Sequence, residues 1–145
     1  MFAVDTNILI YGHFPSYPRH AKARTFCERL LKFEQDWCMV WQVVYEYVRI
    51  TTHPSVHKVP LTLSQALSDL DPYISSNACH MLLPTTQHRP ILEAVAADTP
   101  DARGNFIHDL HYAVLLKEYG INEIYTADSD FKKFAFLKVT DPTAP

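Results

Sequence analysis

Phe2-Ala3-Val4-Asp5-Thr6-Asn7 is the stretch on which the fold turns. Its apolar run ends at an acid, and the acid is followed by two residues that cap helices well. A short buried strand therefore leads straight into a helix, with Asp5 at the strand's carboxyl end. The same pattern recurs downstream. Trp37 to Trp41 reads as a second buried strand, and Gln42 to Thr52 sets Val43, Val44, Tyr47, Val48 and Thr51 at helical spacing despite its β-branched residues. Met81 to Leu83, closed by Pro84, and Ile124-Tyr125-Thr126 read as further strands, with a last one near Phe136 to Val139.

Helical patterns fill the intervals. Arg19 to Lys32 carries Ala23, Phe26, Leu30 and Leu31 with charges between them. Thr62-Leu63-Ser64-Gln65 matches a capping box, and the stripe Leu63, Ala66, Leu67, Leu70 continues until Pro72 approaches the helix end. Ile91, Leu92, Val95 and Ala96 mark another helix. After the loop from Asp98 to Asn105, Phe106 to Tyr119 is the clearest helix, with Gly120 as its C-terminal cap. Strands alternating with helices predict one α/β domain, a mostly parallel central sheet with helices on both faces. Residues 1–140 are expected to form it, and Asp141 to Pro145 to be a frayed tail.

Composition narrows the function classes. With 145 residues, 48% hydrophobic and 20% charged, the chain can build one core and is unlike a disordered polymer. It has no run of about 18 apolar residues to span a bilayer and no basic-then-apolar leader, so a mature cytoplasmic protein with no membrane contact is expected. Cys27, Cys38 and Cys79 are odd in number, widely spaced and without a Cys-x-x-Cys pair, which argues for three buried thiols and against zinc or redox chemistry. His13, His20, His53 and His57 read as surface or loop groups.

The acids give the sharper signal. In an open parallel sheet, ligands bind beyond the carboxyl ends of the strands, and Asp5 and Asp128 both fall there. Asp109 is in line with Ala113 and Leu116, and Glu46 sits at the edge of the stripe of Val43, Tyr47 and Val48, so helices can turn both inward. Each has a plainer reading alone: Asp5 as a helix cap, Glu46 as a solvated charge, Asp109 as a first-turn acid, and Asp128 with Asp130 as a turn. Together they are different. Two unit charges about 4 Å apart repel by roughly 4 kcal/mol at an effective dielectric of about 20, so a converging set needs protons or a cation. All-oxygen ligation suits Mg2+ or Mn2+. Of 16 acidic residues, setting aside these four and Asp130 leaves 11 against 13 Lys and Arg, so the net charge of -3 does not exclude a nucleic-acid partner.

The motif order resembles a PIN-domain ribonuclease of the VapC type, the toxin of a type II toxin-antitoxin pair. The matching pieces span nearly the whole chain: Val4-Asp5-Thr6-Asn7, Glu46-Tyr47-Val48-Arg49, Gly104-Asn105-Phe106-Ile107-His108-Asp109, and Thr126-Ala127-Asp128-Ser129-Asp130. The resemblance implies Asp5 and Asp109 as principal metal ligands, Glu46 and Asp128 completing the pocket, Asp130 assisting, and Thr6, Asn7 and Thr126 orienting them. It implies metal-dependent hydrolysis of RNA to 5'-phosphate and 3'-hydroxyl ends, a homodimer, and a cognate antitoxin protein. Arg19, Lys22, Arg24, Arg49, Arg103, Lys132 and Lys133 are candidate phosphate contacts, with Phe14 or Tyr17 to stack bases. Two rivals stand beside it. His108-Asp109 with His80 or His88 suggests an HD-type phosphohydrolase, whose fold is all-helical; a PIN-fold module that binds without cutting is the other.

Overall fold

The computed structural model describes residues 1–32 and 35–145. Its strands are β1 (Phe2–Val4), β2 (Trp37–Val40), β3 (Cys79–Leu82), β4 (Glu123–Tyr125) and β5 (Lys138–Thr140). They form one sheet in the order β3-β2-β1-β4-β5, and every pairing is parallel. All residues of β1 and β2 are buried, as continuous apolar runs require when both faces of a strand are covered.

The helices are α1 (Thr6–His13), α2 (His20–Leu31), α3 (Trp41–Thr51), α4 (Leu63–Ile74), α5 (His88–Asp98) and α6 (Phe106–Glu118). Helices α1 to α4 pack against one another, and α5 packs on α6. The chain steps outward from β1 to β2 and β3, then crosses back to β4. Right-handed crossovers running in opposite directions place the two helix groups on opposite faces. The reversal also makes a switch point between β1 and β4, where a crevice opens at the strand ends.

Several element boundaries differ from the sequence expectation, each for a local reason. The second strand stops at Val40, because the extended Val40 caps α3 and Trp41 is its first residue. The third begins earlier, at Cys79, where its parallel register with Trp37 starts. The fifth shifts to Lys138–Thr140, since Leu137 is still tied to the preceding turn by its N–H on Phe134 O at 2.9 Å. The capping box at Thr62 and Gln65 forms, but α4 continues past Pro72 to Ile74. At the end of α6, Gly120 has φ 65°, and the N–H groups of Gly120 and Ile121 reach back to Lys117 O and Leu116 O. That is a Schellman cap, which glycine adopts without steric cost.

Three other expectations need correction. The tail is tied down: Arg19 donates to Asp141 at 2.6 Å and to Thr143 at 2.7 Å, Lys22 donates to Ala144 O, and Thr143 is buried. His57 lies in the loop between α3 and α4, as one of the two expectations had it, but it is buried there and stacks on Phe14 with centroids 4.1 Å apart. Cys27 and Cys38 are buried as expected, whereas Cys79 is half-buried; burial pushes all three thiols up to about 12, so they stay protonated.

Helix α1, which carries the residues after Asp5, is held close to α2 at Gly12. A Cβ there would lie 2.7 Å from Cys27 Sγ and 3.4 Å from Ala23 O. Gly12→Ala would gain about 1 kcal/mol of helix propensity but overpack a buried contact, typically by 1–3 kcal/mol. The expected net loss is about 1 kcal/mol in urea unfolding, and the same change in a Cys27→Ala background should stabilise instead.

Candidate active site at the switch point

Asp5 leaves β1 in extended conformation and caps α1, with Oδ1 accepting the Thr6 N–H at 2.7 Å. The capping reading is therefore true of one oxygen. The other, Oδ2, accepts from Asn7 Nδ2 at 2.7 Å and from the Thr126 hydroxyl at 2.6 Å. Thr126 lies just beyond β4. Because its single proton goes to Asp5, its oxygen is free to accept, and it does so from Asn7 Nδ2 at 3.0 Å and the Asp128 N–H at 2.9 Å. Asn7 Oδ1 accepts the Ala127 N–H at 3.1 Å. Asn7 and Thr126 thus join the ends of β1 and β4, and Thr6 reaches Glu46 on α3.

The remaining acids arrive from three elements. Glu46, on α3, accepts from the Thr6 hydroxyl at 2.9 Å and has Arg49 at 3.8 Å. Asp128 accepts the Asp130 N–H at 2.8 Å and so caps the short 3-10 helix Ser129–Lys133. Asp109 stands in the first turn of α6, half-buried. Oxygens of Asp109, Asp128 and Asp130 all lie within 4.8 Å of one another. Asp5 faces a cavity of about 190 Å³ that Glu46, Asp109 and Asp128 also line. Beyond it, a second cavity of about 520 Å³ opens between α3 and the start of α6, with Glu46, Asp109 and Asp128 common to both.

Charge crowding is visible in the acids themselves. Burial pushes Asp5 up to about 6, against the pull of the Thr126 and Thr6 hydrogen bonds, and Glu46 and Asp128 add to the rise. Asp109 is pushed up to about 7, first by burial and then by Asp5, Asp128, Glu46 and Asp130. Among the described residues no side chain donates a hydrogen bond to Asp109, and the nearby cations are few: Arg49 at Glu46, and Lys133 at 2.7 Å from Asp130. The donor set is all oxygen, half-buried and short of counter-charge. Such a set fits a hard divalent cation.

The candidate RNA contacts separate. Arg49 lines the larger cavity and Tyr17 the smaller. Lys132 is exposed on the 3-10 helix beside Lys133, and Arg103 is exposed in the loop before α6. Arg19 and Lys22 are bound to the C-terminal tail, Arg24 pairs with Glu28 at 3.0 Å, and Phe14 is stacked on His57. The sequence reading passed over Tyr45, which lines the larger cavity with Phe106 and His108. Tyr45 had a signal, since Trp41, Tyr45 and Arg49 recur every four residues. The HD-type rival fails on the parallel sheet and on its histidines: His88 is paired with Glu118, and His80 lies 3.7 Å from Asp36.

Both raised carboxylates favour folding when protonated. That contribution is full below the ordinary 3.8 and is lost as pH rises through about 6 for Asp5 and 7 for Asp109. For the metal-free chain, Asp109→Asn should therefore raise stability at pH 8 by about 1–2 kcal/mol, allowing for solvent screening, and change it little at pH 4. Thermal unfolding at the two pH values checks this; equal shifts at both would rule out charge crowding as the cause.

Comparison with known proteins agrees with the geometry. The PIN domain profile matches residues 2–137. The chain is 30% identical over 138 residues to ribonuclease VapC48 of Mycobacterium tuberculosis, covering 95% of this chain and 94% of that protein. It is 29% identical to the VapC ribonuclease Mb2897 of Mycobacterium bovis, covering 98% and 95%. Among solved structures, VapBC2 from Rickettsia felis, bound to a DNA fragment from its promoter, aligns with TM-score 0.66 at 18% identity over 96% of both chains. Mycobacterium tuberculosis VapC20, a sarcin-ricin loop cleaving toxin, aligns with TM-score 0.64 at 16% identity over 91% and 93%. The parallel sheet, the switch-point acids and these matches have one explanation: the chain belongs to the PIN-domain family, with VapC ribonucleases among its relatives.

Proposed function

We propose that the chain is a divalent-metal-dependent endoribonuclease, the toxin of a type II toxin-antitoxin pair, with Asp5, Glu46, Asp109, Asp128 and Asp130 as its acidic site. The observation that carries this reading is the convergence of five carboxylates from four elements at one switch point, in a chain whose relatives are named ribonucleases. Mg2+ or Mn2+, held by Asp109, Asp128 and Asp130 beside Asp5 and Glu46, would supply an activated water and offset charge on the scissile phosphate. The chain's own residues do the rest. Thr126 and Asn7 hold the Asp5 carboxylate rigid, Thr6 holds Glu46 at the rim of the cavity, and the Asp128 turn presents Asp130 beside Asp109. Preorganisation of this kind keeps groups from reorienting as charge develops.

The acids repel an RNA phosphate unless a cation is present, and the cation gains a ligand from the phosphate. Metal and substrate therefore bind with positive coupling. Two protein partners belong to this reading, an antitoxin, supported by the likeness to VapBC2 of Rickettsia felis, and a second copy of this chain. Both would be met in the cytoplasm. Among the described residues no helix is long and apolar enough to cross a membrane.

Purified chain freed of any partner should cut total RNA in Mg2+ or Mn2+ and leave 5'-phosphate ends. Asp5→Asn and Asp109→Asn should each lower the rate by about 100-fold or more, in the range of removing a preorganised charge-stabilising group. Fragment-end mapping checks it. Cleavage that survives chelator, or that ends in a cyclic phosphate, would point to contaminating or metal-free chemistry and overturn the reading.

A further inference from the structure

Trp41, Tyr45 and Arg49 follow one another on α3 at i, i+4 and i+8, so they share one face of the helix. That face is left in solvent. Trp41 is 46% exposed and Tyr45 74%, and the Arg49 side chain is 68% exposed. Tyr45 and Arg49 are also one wall of the 520 Å³ cavity that contains Asp109, Asp128 and Asp130. The opposite wall is already engaged: Phe106 stacks on Phe134 at 5.1 Å and has Lys133 over its ring at 4.7 Å. Among the described residues Tyr45 has neither a ring partner nor a hydrogen-bond partner.

We propose that Tyr45 is the base-stacking platform of this site: an unpaired base of the RNA strand lies on its ring, and Arg49 takes the adjoining phosphate. The inference rests on the ribonuclease reading and adds a substrate class to it. A base inside a duplex offers no free face, so the strand bound here is single-stranded or a looped-out segment. The cavity volume lies within the 300–1,000 Å³ that small-ligand sites occupy, enough for one nucleotide. RNA suits this face better than a second protein copy. The stripe runs onto Glu46, Asp109, Asp128 and Asp130, and the centres of protein interfaces are depleted of such acids.

The test compares wild type with Tyr45→Ala, Tyr45→Phe and Arg49→Gln. Binding of a short fluorescein-labelled single-stranded RNA of random sequence is read by anisotropy in Ca2+, beside an abasic oligomer of equal length. Initial cleavage rates are read on total RNA in Mg2+. Tyr45→Ala should weaken binding and slow sub-saturating cleavage by about 10-fold, within the range measured for lost base stacking, while Tyr45→Phe stays within about twofold. The abasic oligomer should bind both proteins alike, and Arg49→Gln should flatten the salt dependence of binding by about one phosphate contact, a slope change of about 0.7. If wild type cleaves RNA and Tyr45→Ala matches it on both readouts, the stacking platform is wrong and the ribonuclease reading stands. If Tyr45→Ala instead turns a dimer into monomers in sedimentation, with binding per site unchanged, the face belongs to a second copy and the platform is likewise overturned. A wild type that neither binds nor cleaves RNA overturns both readings.

Discussion

The hydrogen bond from the Thr126 hydroxyl to Asp5 is the contact on which the rest of the site depends. It ties together the ends of β1 and β4, the adjacent parallel strands at which the order of strand addition reverses. A hydroxyl has one proton, and giving it to Asp5 fixes the other side of Thr126 as an acceptor for Asp128 and Asn7. One donor direction therefore sets the position of two acids. A hydrogen bond to a charged group contributes about 1.5–3 kcal/mol, and burying a carboxylate costs more than that. Burial prevails, since Asp5 is held up at about 6 despite its three donors.

A site that is electrostatically unfavourable by itself needs a stable frame. The frame is the core around β2 and α6, where Trp37, Tyr112, Leu115 and Leu116 are fully buried. Tyr112 serves both: its hydroxyl donates to Val4 O at 2.9 Å, anchoring the residue before Asp5 to the helix that carries Asp109. Fixing the backbone on either side of the acids keeps them from moving apart to relieve repulsion. The strain then has only two outlets, a proton or a cation.

Helix α3 divides the crevice. Glu46 faces both cavities, while its neighbours alternate by helical period, Ile50 to the smaller and Tyr45 with Arg49 to the larger. One cavity is closed in by Asp5 and aromatic rings, and the other is broad and holds an exposed tyrosine. The basic residues do not simply mark a nucleic-acid surface. Arg19 and Lys22 bind the C-terminal tail, so two of the cations that raise the apparent basicity of α2 are engaged within the molecule.

Local sequence determined the strand-to-helix turn at Asp5, the capping box at Thr62, the glycine cap of α6 and the alternation of elements, because each depends on neighbours a few residues apart. The motif order singled out acids and polar neighbours that the fold brings into one crevice. What tertiary structure decided was distance. Asp109, Asp128 and Asp130 form the closest trio while Asp5 is bound among hydrogen-bond donors, an arrangement that follows from the β1–β4 pairing and that no spacing along the chain encodes. Nor could the sequence place the tail, whose docking needs Arg19 to meet residues 122 and 124 positions away. Position on the chain fixes chemical identity and local conformation; proximity between remote carboxylates is set by packing of the sheet and its two layers of helices.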